Sequence, residues 1–417
     1  MQGPLRHLTV LDLSRVLAGP WCTQLLADLG AEVIKIEKPG TGDDTRSWGP
    51  PFLKDPTGRD TAEAAYYLAC NRGKKSVAVD FTRTEGQAIV RELARGADVV
   101  IENFKVGGLA KHRLDYPSLA AINPRLVYCS ITGFGQTGPY AQRAGYDFII
   151  QGMSGFMSVT GERDDLPGGG PQKAGIAISD LMTGMYASSA ILAAVAHRDA
   201  GGGGQHIELS LLDSAVAMMA VMNMNYLISG VPPERAGNAH QNIVPYQVFA
   251  CADGHLILAV GNDSQFARFC EVAGKSEWAR DARYAVNSER VRRRAELLPL
   301  IAALMRTRTQ REWLQALEEA GVPCGPINKL DQVFADPQVR ARTMRLDLPH
   351  PLCETVPQVG NPLHFSATPV AYTRAPPLLG EHTAAVLRER LGFAEAALED
   401  LARRGVIALA APGCPHR

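Results

Sequence analysis

Twice in its first third the chain writes the same sentence: a short apolar run, a helix-length segment, and a second short apolar run. Leu8–Leu13 is followed by Gly19-Pro20, a helical stretch through Leu29, and the run Glu32–Glu37. Ser76–Phe81, a helical stretch over Arg83–Arg95, and Asp98–Glu102 repeat it, and a helix at Ser118–Ile122 with a strand at Leu126–Ile131 extend it. A strand, a crossover helix and a second strand form a parallel pair with a right-handed crossover. Repetition of that unit predicts an α/β, doubly wound, Rossmann-like sheet with helices on both faces. No G-x-G-x-x-G follows any of these strands, which argues against a nicotinamide or flavin cofactor.

The 417 residues, 46% of them hydrophobic, suffice for two domains. Gly201–Gly204 reads as a flexible turn before a strand at Gln205–Ser210, and one helix is expected from about Leu211 to Ile228, ended by Val231-Pro-Pro233. Composition then changes. Pro245–Ala250 and His255–Val260 flank Ala252-Asp253-Gly254, a hairpin signal, and helices follow around Ser264–Ala273, Glu289–Arg306 and Thr309–Ala320. The expected division is a large α/β domain over 1–210, a linker helix over 211–230, a smaller α+β domain over 231–328, a return linker over 329–355, and a C-terminal part of the large domain over 356–417. The Met-rich stretch Met218–Met224 reads as core helix.

Lys plus Arg and Asp plus Glu both number 43, so no net field draws nucleic acid or an anionic membrane. The eight cysteines (22, 70, 129, 251, 270, 324, 353 and 414) contain no C-x-x-C pair. That argues against a zinc site and for buried thiols in a reducing, cytoplasmic setting. The N-terminus lacks a signal-peptide pattern, and the apolar run Leu181–Ala196 reads as too short to cross a bilayer.

Asp180 is the only charged residue between Lys173 and His197, at the start of a helix rich in Ala, Ser and Gly. Burial there raises a carboxylate's pKa, whereas a helix N-terminus favours the anion. On this segment alone the bland role, a helix N-cap, is the better reading. Cations gather near strand ends, among them Lys38, Lys75 and Lys111, while Glu102-Asn103-Phe104 ends another strand. Ligands of open α/β sheets bind beyond the carboxyl ends of strands, so these residues are candidates for holding a phosphorylated ligand, with Phe104 available to stack on a flat ring.

Several blocks make the chain resemble the class III CoA-transferases, the formyl-CoA and carnitine CoA-transferase group. They are Leu11-Asp-Leu-Ser-Arg-Val-Leu-Ala-Gly-Pro20, Leu29-Gly-Ala-Glu-Val-Ile-Lys-Ile-Glu37, Glu102-Asn-Phe104, Thr132-Gly-Phe-Gly-Gln-Thr-Gly-Pro139, Gly184 after Asp180, Gly321-Val-Pro-Cys-Gly-Pro326 and Leu379-Gly-Glu-His-Thr383. The resemblance implies an interlocked homodimer, a large domain built from both chain ends, and Asp180 as the nucleophile of covalent CoA transfer. It implies CoA contacts at Val16, Ala18, Lys38, Lys75, Asn103, Phe104, Lys111 and Tyr146. Substrates would be CoA thioesters, with no permanently bound cofactor or metal. Backbone N–H groups near Gly261 and Asn262 are candidates for stabilising carbonyl oxygens, although the glycine-rich lid of the formyl enzyme is replaced here by Gly-Asn-Asp-Ser-Gln at 261–265.

The related α-methylacyl-CoA racemases carry a Gly-His-Asp step. Here it is Gly145-Tyr146-Asp147, and a phenol with an ordinary pKa of roughly 10 is a poor base; His240 is the substitute a racemase would need. Gly42-Asp-Asp-Thr-Arg46, Trp48-Gly-Pro-Pro51, Gln142-Arg-Ala-Gly-Tyr-Asp147, Ile243-Val-Pro-Tyr-Gln247 and Gln265-Phe-Ala267 are similar to the succinate–hydroxymethylglutarate (glutarate) branch. That implies succinyl-CoA as donor and a short dicarboxylate as acceptor. Arg46 and Arg143 are the candidate anchors for the second carboxylate, with a structural ion pair as the alternative for each.

Overall fold

The computed structural model describes residues 3–410, and they form two compact units. The first comprises residues 3–154, 174–223 and 338–410 and is built on a seven-stranded sheet. Six strands are parallel: β1 (Thr9–Asp12), β2 (Glu32–Glu37), β3 (Lys74–Val79), β4 (Val99–Glu102), β5 (Val127–Thr132) and β6 (Gln205–Ser210). Their spatial order is β3-β2-β1-β4-β5-β6, and Ile407–Ala408 adds an antiparallel edge beside β3, Ile407 opposite Val79.

Side chains alternate across this sheet and fill two cores. Val10, Val33, Val99, Ile101, Val127 and Cys129 face the helices α1 (Ala18–Asp28) and α4 (Ile178–Asp199). Leu11, Ile34, Ile36, Val77, Val100 and Tyr128 face the other way, against α2 (Thr84–Arg95) and the C-terminal helices that carry Val386, Leu387, Leu398 and Leu401. Each fully buried aliphatic side chain contributes about 1.5–3 kcal/mol, so the two layers fix the strand register on both faces.

The 22-residue α4 is long and apolar enough by length and composition to cross a bilayer, which corrects the expectation that this run falls short. In this fold its Ser179, Thr183, Gly184, Ala187, Ile191, Ala194 and Arg198 recur at helical spacing on one buried face. Gly184 permits the closest approach: a Cβ there would lie 2.7 Å from the Ala18 carbonyl oxygen and 3.1 Å from the Trp21 ring.

The second unit comprises residues 155–173 and 224–337. A three-stranded antiparallel sheet, Tyr246–Ala250, His255–Ala259 and Cys324–Pro326, packs Phe249, Leu256 and Leu258 against Phe266, Phe269, Leu297, Ile301 and Trp313 of its helices. Buried Arg290 is satisfied by Asp263, 2.8 Å away, and by the carbonyls of Val244 and Tyr284.

Several expectations need correction. The helix from Leu211 breaks into α5 (Leu211–Met218) and α6 (Val221–Ser229), bent by 76° about Ala220, whose φ is +42°. No breaker residue marks the bend; locally, Asn223 satisfies the exposed Val216 carbonyl at 2.6 Å. The helix expected at Glu289–Arg306 is two, Asn287–Arg292 and Arg294–Met305. Residues 155–173 group with the second unit rather than the large one, and the boundary falls after Asn223 rather than at 230. The expected return linker 329–355 contains helices at Leu330–Ala335 and Pro337–Ala341 and most of a hairpin, Arg345–His350 with Cys353–Val359. A second hairpin, Phe52–Lys54 with Asp60–Ala64, was not anticipated. The seven described cysteines are unpaired; Cys414 lies outside the described residues.

Candidate active site

Asp180 is not the cap of α4 but its third residue. The capping acceptor comes from another element: Asp147, which opens α3 (Asp147–Met153), accepts the Ser179 N–H at Oδ1, 2.8 Å away, and the Gln151 amide at Oδ2, 2.6 Å away. Gln151 in turn accepts the Ala174 N–H at 2.8 Å, so the segment entering α4 is fixed from α3. Freed from capping, the Asp180 carboxylate is half-buried, and its pKa is pushed up to about 7, first by burial and then by the Asp147 charge. Tyr66 lies within the field of Asp180; burial and that charge push the phenol up to about 12, so it stays protonated and able to donate. Trp48, 43% exposed, stands edge-on to Tyr66 with ring centroids 5.2 Å apart. A carboxylate with a raised pKa, near a protonated phenol, has the chemistry for nucleophilic attack on an acyl carbonyl.

Beside this acid, one turn along the same face of α4, Gly184 abuts Ala18, the first residue of α1. The loop entering α1 is tightly held. Asn103 accepts the Arg15 N–H at 2.8 Å and donates to the Arg15 carbonyl at 2.6 Å. Val16 has a φ of +71°, and its N–H points at both oxygens of Asp43, 3.3 Å from each. Phe104, whose N–H is held by Glu102 at 2.7 Å, lies under the Arg15 guanidinium, 4.9 Å from the ring centroid. Burial pushes Glu102 up to about 7, and behind it a cavity of about 270 Å³ is lined by Ser130, Tyr116, Tyr128 and His206.

Val16, Ala18, Asn103 and Phe104 are therefore brought together at the carboxyl ends of β1 and β4. Lys38, just past β2, and Lys111, in the turn Ala110–His112, are exposed. Tyr146, immediately before α3, is 63% exposed. Lys75 does not join them. It is the second residue of β3 and pairs with Glu32 at 2.7 Å, toward the amino ends of the strands. The cation beyond the carboxyl end of β3 is Arg83, which sequence reasoning missed; it pairs with Asp80 at 3.4 Å.

Arg46 is also corrected. Its guanidinium grips Glu37 through two nitrogens, at 2.8 and 2.9 Å, and Glu63 at 2.9 Å, and lies 3.6 Å from the Tyr67 ring centroid. At 6% exposure it is a structural ion pair with no donor left for a substrate. Arg143 differs: it is exposed, lies over the rings of Tyr140 and Phe134 at 4.5 and 5.2 Å, and pairs with no carboxylate among the described residues. In the second unit, the Gly261 N–H already donates to Gln265 at 2.6 Å, and Asn262 caps the helix Asp263–Val272. The Gly261 donor is therefore taken locally, contrary to the expectation of an open donor, while Asn262 is engaged through its side-chain oxygen. His240 in that unit accepts the Asn242 N–H at Nδ1, 3.0 Å away. Tyr66 and Asp147 are the residues the sequence reading left unassigned; only tertiary proximity to Asp180 singles them out, and Trp48 follows through its ring contact with Tyr66.

The chain is 55% identical over 386 residues to the succinate–glutarate CoA-transferase of Agrobacterium fabrum, across 93% of this chain and 95% of that one. It is 43% identical over 404 residues to the succinyl-CoA:glutarate CoA-transferase of Mus musculus, across 97% and 90%. The crystal structure of a CAIB/BAIF family protein from Brucella suis, 50% identical, superposes with a TM-score of 0.81 over 94% of this chain and 100% of that one. Residues 5–383 match CoA-transferase family III, and the chain belongs to that family of enzymes.

Proposed function

We propose that this enzyme moves CoA from succinyl-CoA to glutarate or a closely similar short dicarboxylate, with Asp180 as its covalent nucleophile. The carrying observation is the placement of Asp180: third in α4, half-buried, raised to about 7, and released from capping duty by Asp147. The printed activities of the Agrobacterium and mouse relatives support the donor and acceptor.

In this reading the ionised Asp180 attacks the thioester carbonyl of succinyl-CoA, and CoA leaves as its thiolate. The resulting succinyl–aspartyl anhydride is attacked at the aspartyl carbonyl by the thiolate, which releases succinate and leaves CoA on Asp180 as a thioester. A glutarate carboxylate attacks that thioester, forming a glutaryl–aspartyl anhydride and freeing the thiolate again. Attack of the thiolate on the glutaryl carbonyl yields glutaryl-CoA and restores the carboxylate. Each step exchanges one acyl bond for another and needs no outside oxidant or reductant. Pro20 has no N–H and the Trp21 N–H bonds the Leu17 carbonyl at 2.7 Å, so the Ala18 and Gly19 N–H groups that open α1 supply the donors for the developing oxyanions. Arg143 anchors the distal carboxylate, and Lys38, Lys111 and Arg83 meet the phosphates of CoA. A 2-methylacyl-CoA racemase would need a base at position 146, where this chain has Tyr, and the only substitute named for it, His240, already accepts a backbone N–H.

Association with a second copy accords with the apolar side chains that the first unit leaves exposed: Phe148, Ile149, Met185, Tyr186 and Val216. The unpaired cysteines support a reducing, cytoplasmic setting. Mass spectrometry of the enzyme with succinyl-CoA and excess glutarate tests the activity. Glutaryl-CoA made by the parent and not by Asp180→Ala is the expected result. Proton exchange at the α-carbon of a 2-methylacyl-CoA, without transfer, would overturn it.

A further inference from the structure

Val16 is the least comfortable residue in the first unit. A β-branched side chain at a φ of +71° is a conformational outlier, and such strain persists only where the surroundings over-determine it. Here the surroundings are specific. The Val16 N–H faces both carboxylate oxygens of Asp43. Asp43 pairs with Lys35 at 3.0 Å, and both side chains are fully buried. The same Lys35 ammonium donates to the Ser14 carbonyl at 2.8 Å. One buried cation therefore fixes the residue two before Val16 directly and Val16 itself through Asp43. Between them, Asn103 brackets both backbone polar groups of Arg15. Three consecutive residues are gripped by side chains from outside the loop, more than a surface turn into a helix requires.

What the grip controls is next in sequence. Ala18 begins α1, and its carbonyl touches Gly184, one helical turn from Asp180 on the same face of α4. A rotation at Val16 would re-aim the Ala18 and Gly19 N–H groups, the two that open α1 ahead of Pro20, relative to Asp180. Asp43 also accepts the N–H and hydroxyl of Thr45, at 3.0 and 2.8 Å, so it cannot turn away from Val16 without abandoning them. Burial would raise this carboxylate; the Lys35 ammonium and the Thr45 hydrogen bonds together outweigh burial and hold it at about 2, so it remains an anion throughout the working range.

We propose that Asp43, backed by Lys35, is a positioning residue for acyl transfer: it holds Val16 in its left-handed conformation and so keeps the Ala18 and Gly19 N–H groups at the start of α1 aimed at the carbonyl that Asp180 attacks. This rests on the functional reading above. Asp43 touches no reacting atom and acts through the backbone of Val16.

The test is a strain-relief cycle. Asp43→Asn keeps the shape and one acceptor but removes the charge; kcat for succinyl-CoA:glutarate exchange should fall about 10- to 100-fold, with the KM for succinyl-CoA changed much less. Glycine adopts positive φ freely, so adding Val16→Gly to Asp43→Asn should recover at least several-fold in kcat. Thermal unfolding of all forms separates lost catalysis from lost fold. If Asp43→Asn keeps the parental kcat, or if the double variant is no better than Asp43→Asn at equal folded fraction, the positioning role is wrong. If the parent itself transfers no CoA, the functional reading fails, and this proposal fails with it.

Discussion

Replacing Asp147 by Asn probes the origin of the raised Asp180 pKa. Asp147 Oδ1 sits 2.8 Å from the nitrogen of Ser179, the residue next to Asp180, and its charge acts on the Asp180 carboxyl. At an effective dielectric constant of about 20, like charges separated by roughly 6 Å repel by about 3 kcal/mol, or about 2 pH units. Burial is the larger cause of the shift and survives the substitution, so the expected change is about 1 unit. The sign is downward: without the neighbouring anion the Asp180 carboxylate ionises more easily. In single-turnover reactions of excess enzyme with succinyl-CoA, quenched and weighed for the enzyme–CoA thioester, the parent's rate should rise with pH about a midpoint near 7. The Asp147→Asn midpoint should lie near 6, so the variant should keep a larger share of its plateau rate at pH 6. The plateau itself should drop several-fold, because a less basic carboxylate is a weaker nucleophile. The amide can still accept from Ser179 while losing its bond to Gln151, which costs about 1 kcal/mol of stability and does not move the midpoint. A midpoint that stays at 7 or moves upward would refute this account of the Asp180 environment.

Gly184→Ala places a methyl 2.7 Å from the Ala18 carbonyl; it should destabilise the first unit by about 1–3 kcal/mol, read as a fall in thermal midpoint, and an unchanged midpoint would refute the close α1–α4 contact. Arg46→Lys cannot reproduce the fork to Glu37 with the bond to Glu63 and should cost about 3–5 kcal/mol of stability, while the KM for glutarate measured on the folded fraction stays unchanged. Arg143→Ala should do the converse, raising the KM for glutarate about 10-fold with little effect on unfolding; equal effects of the two on KM would return Arg46 to the substrate site.

The parallel sheet was legible because its strands are short, apolar and separated by helices of uniform polarity; Glu32–Glu37 and Gln205–Ser210 fall where the pattern places them. The bend at Ala220 was not, since Met219 and Ala220 favour helix and nothing in their spacing marks a break. Asp180 stood out as one acid in an apolar segment, but its release from capping could not be read, because Asp147 lies thirty-three positions away in sequence. Lys75 and Arg46 show the converse difficulty. A cation beside a strand end and an arginine after a Gly-Asp-Asp turn look the same in sequence whether they face a phosphate or a carboxylate of the same chain. Glu32, Glu37 and Glu63 decide that, and no spacing rule ties those acids to their partners.

The pairing of Ile407–Ala408 with β3 has a consequence for how this protein is made. The unit that carries Asp180 lacks that edge strand until more than three hundred further residues have followed β3. At ribosomal speeds of about 5–20 residues per second, the flank of β3 waits on the order of 15–65 s for its partner. During that interval it presents unpaired backbone donors and acceptors, the geometry that invites pairing with another chain. Thr383 and Gly380 then close the region from the late-synthesised end, through the Ala78 N–H and the Ser76 hydroxyl. A message cut short before these codons would thus yield a chain that keeps Asp180 but leaves an open strand edge, and such a product should be found with chaperones or in aggregates rather than in the soluble enzyme pool.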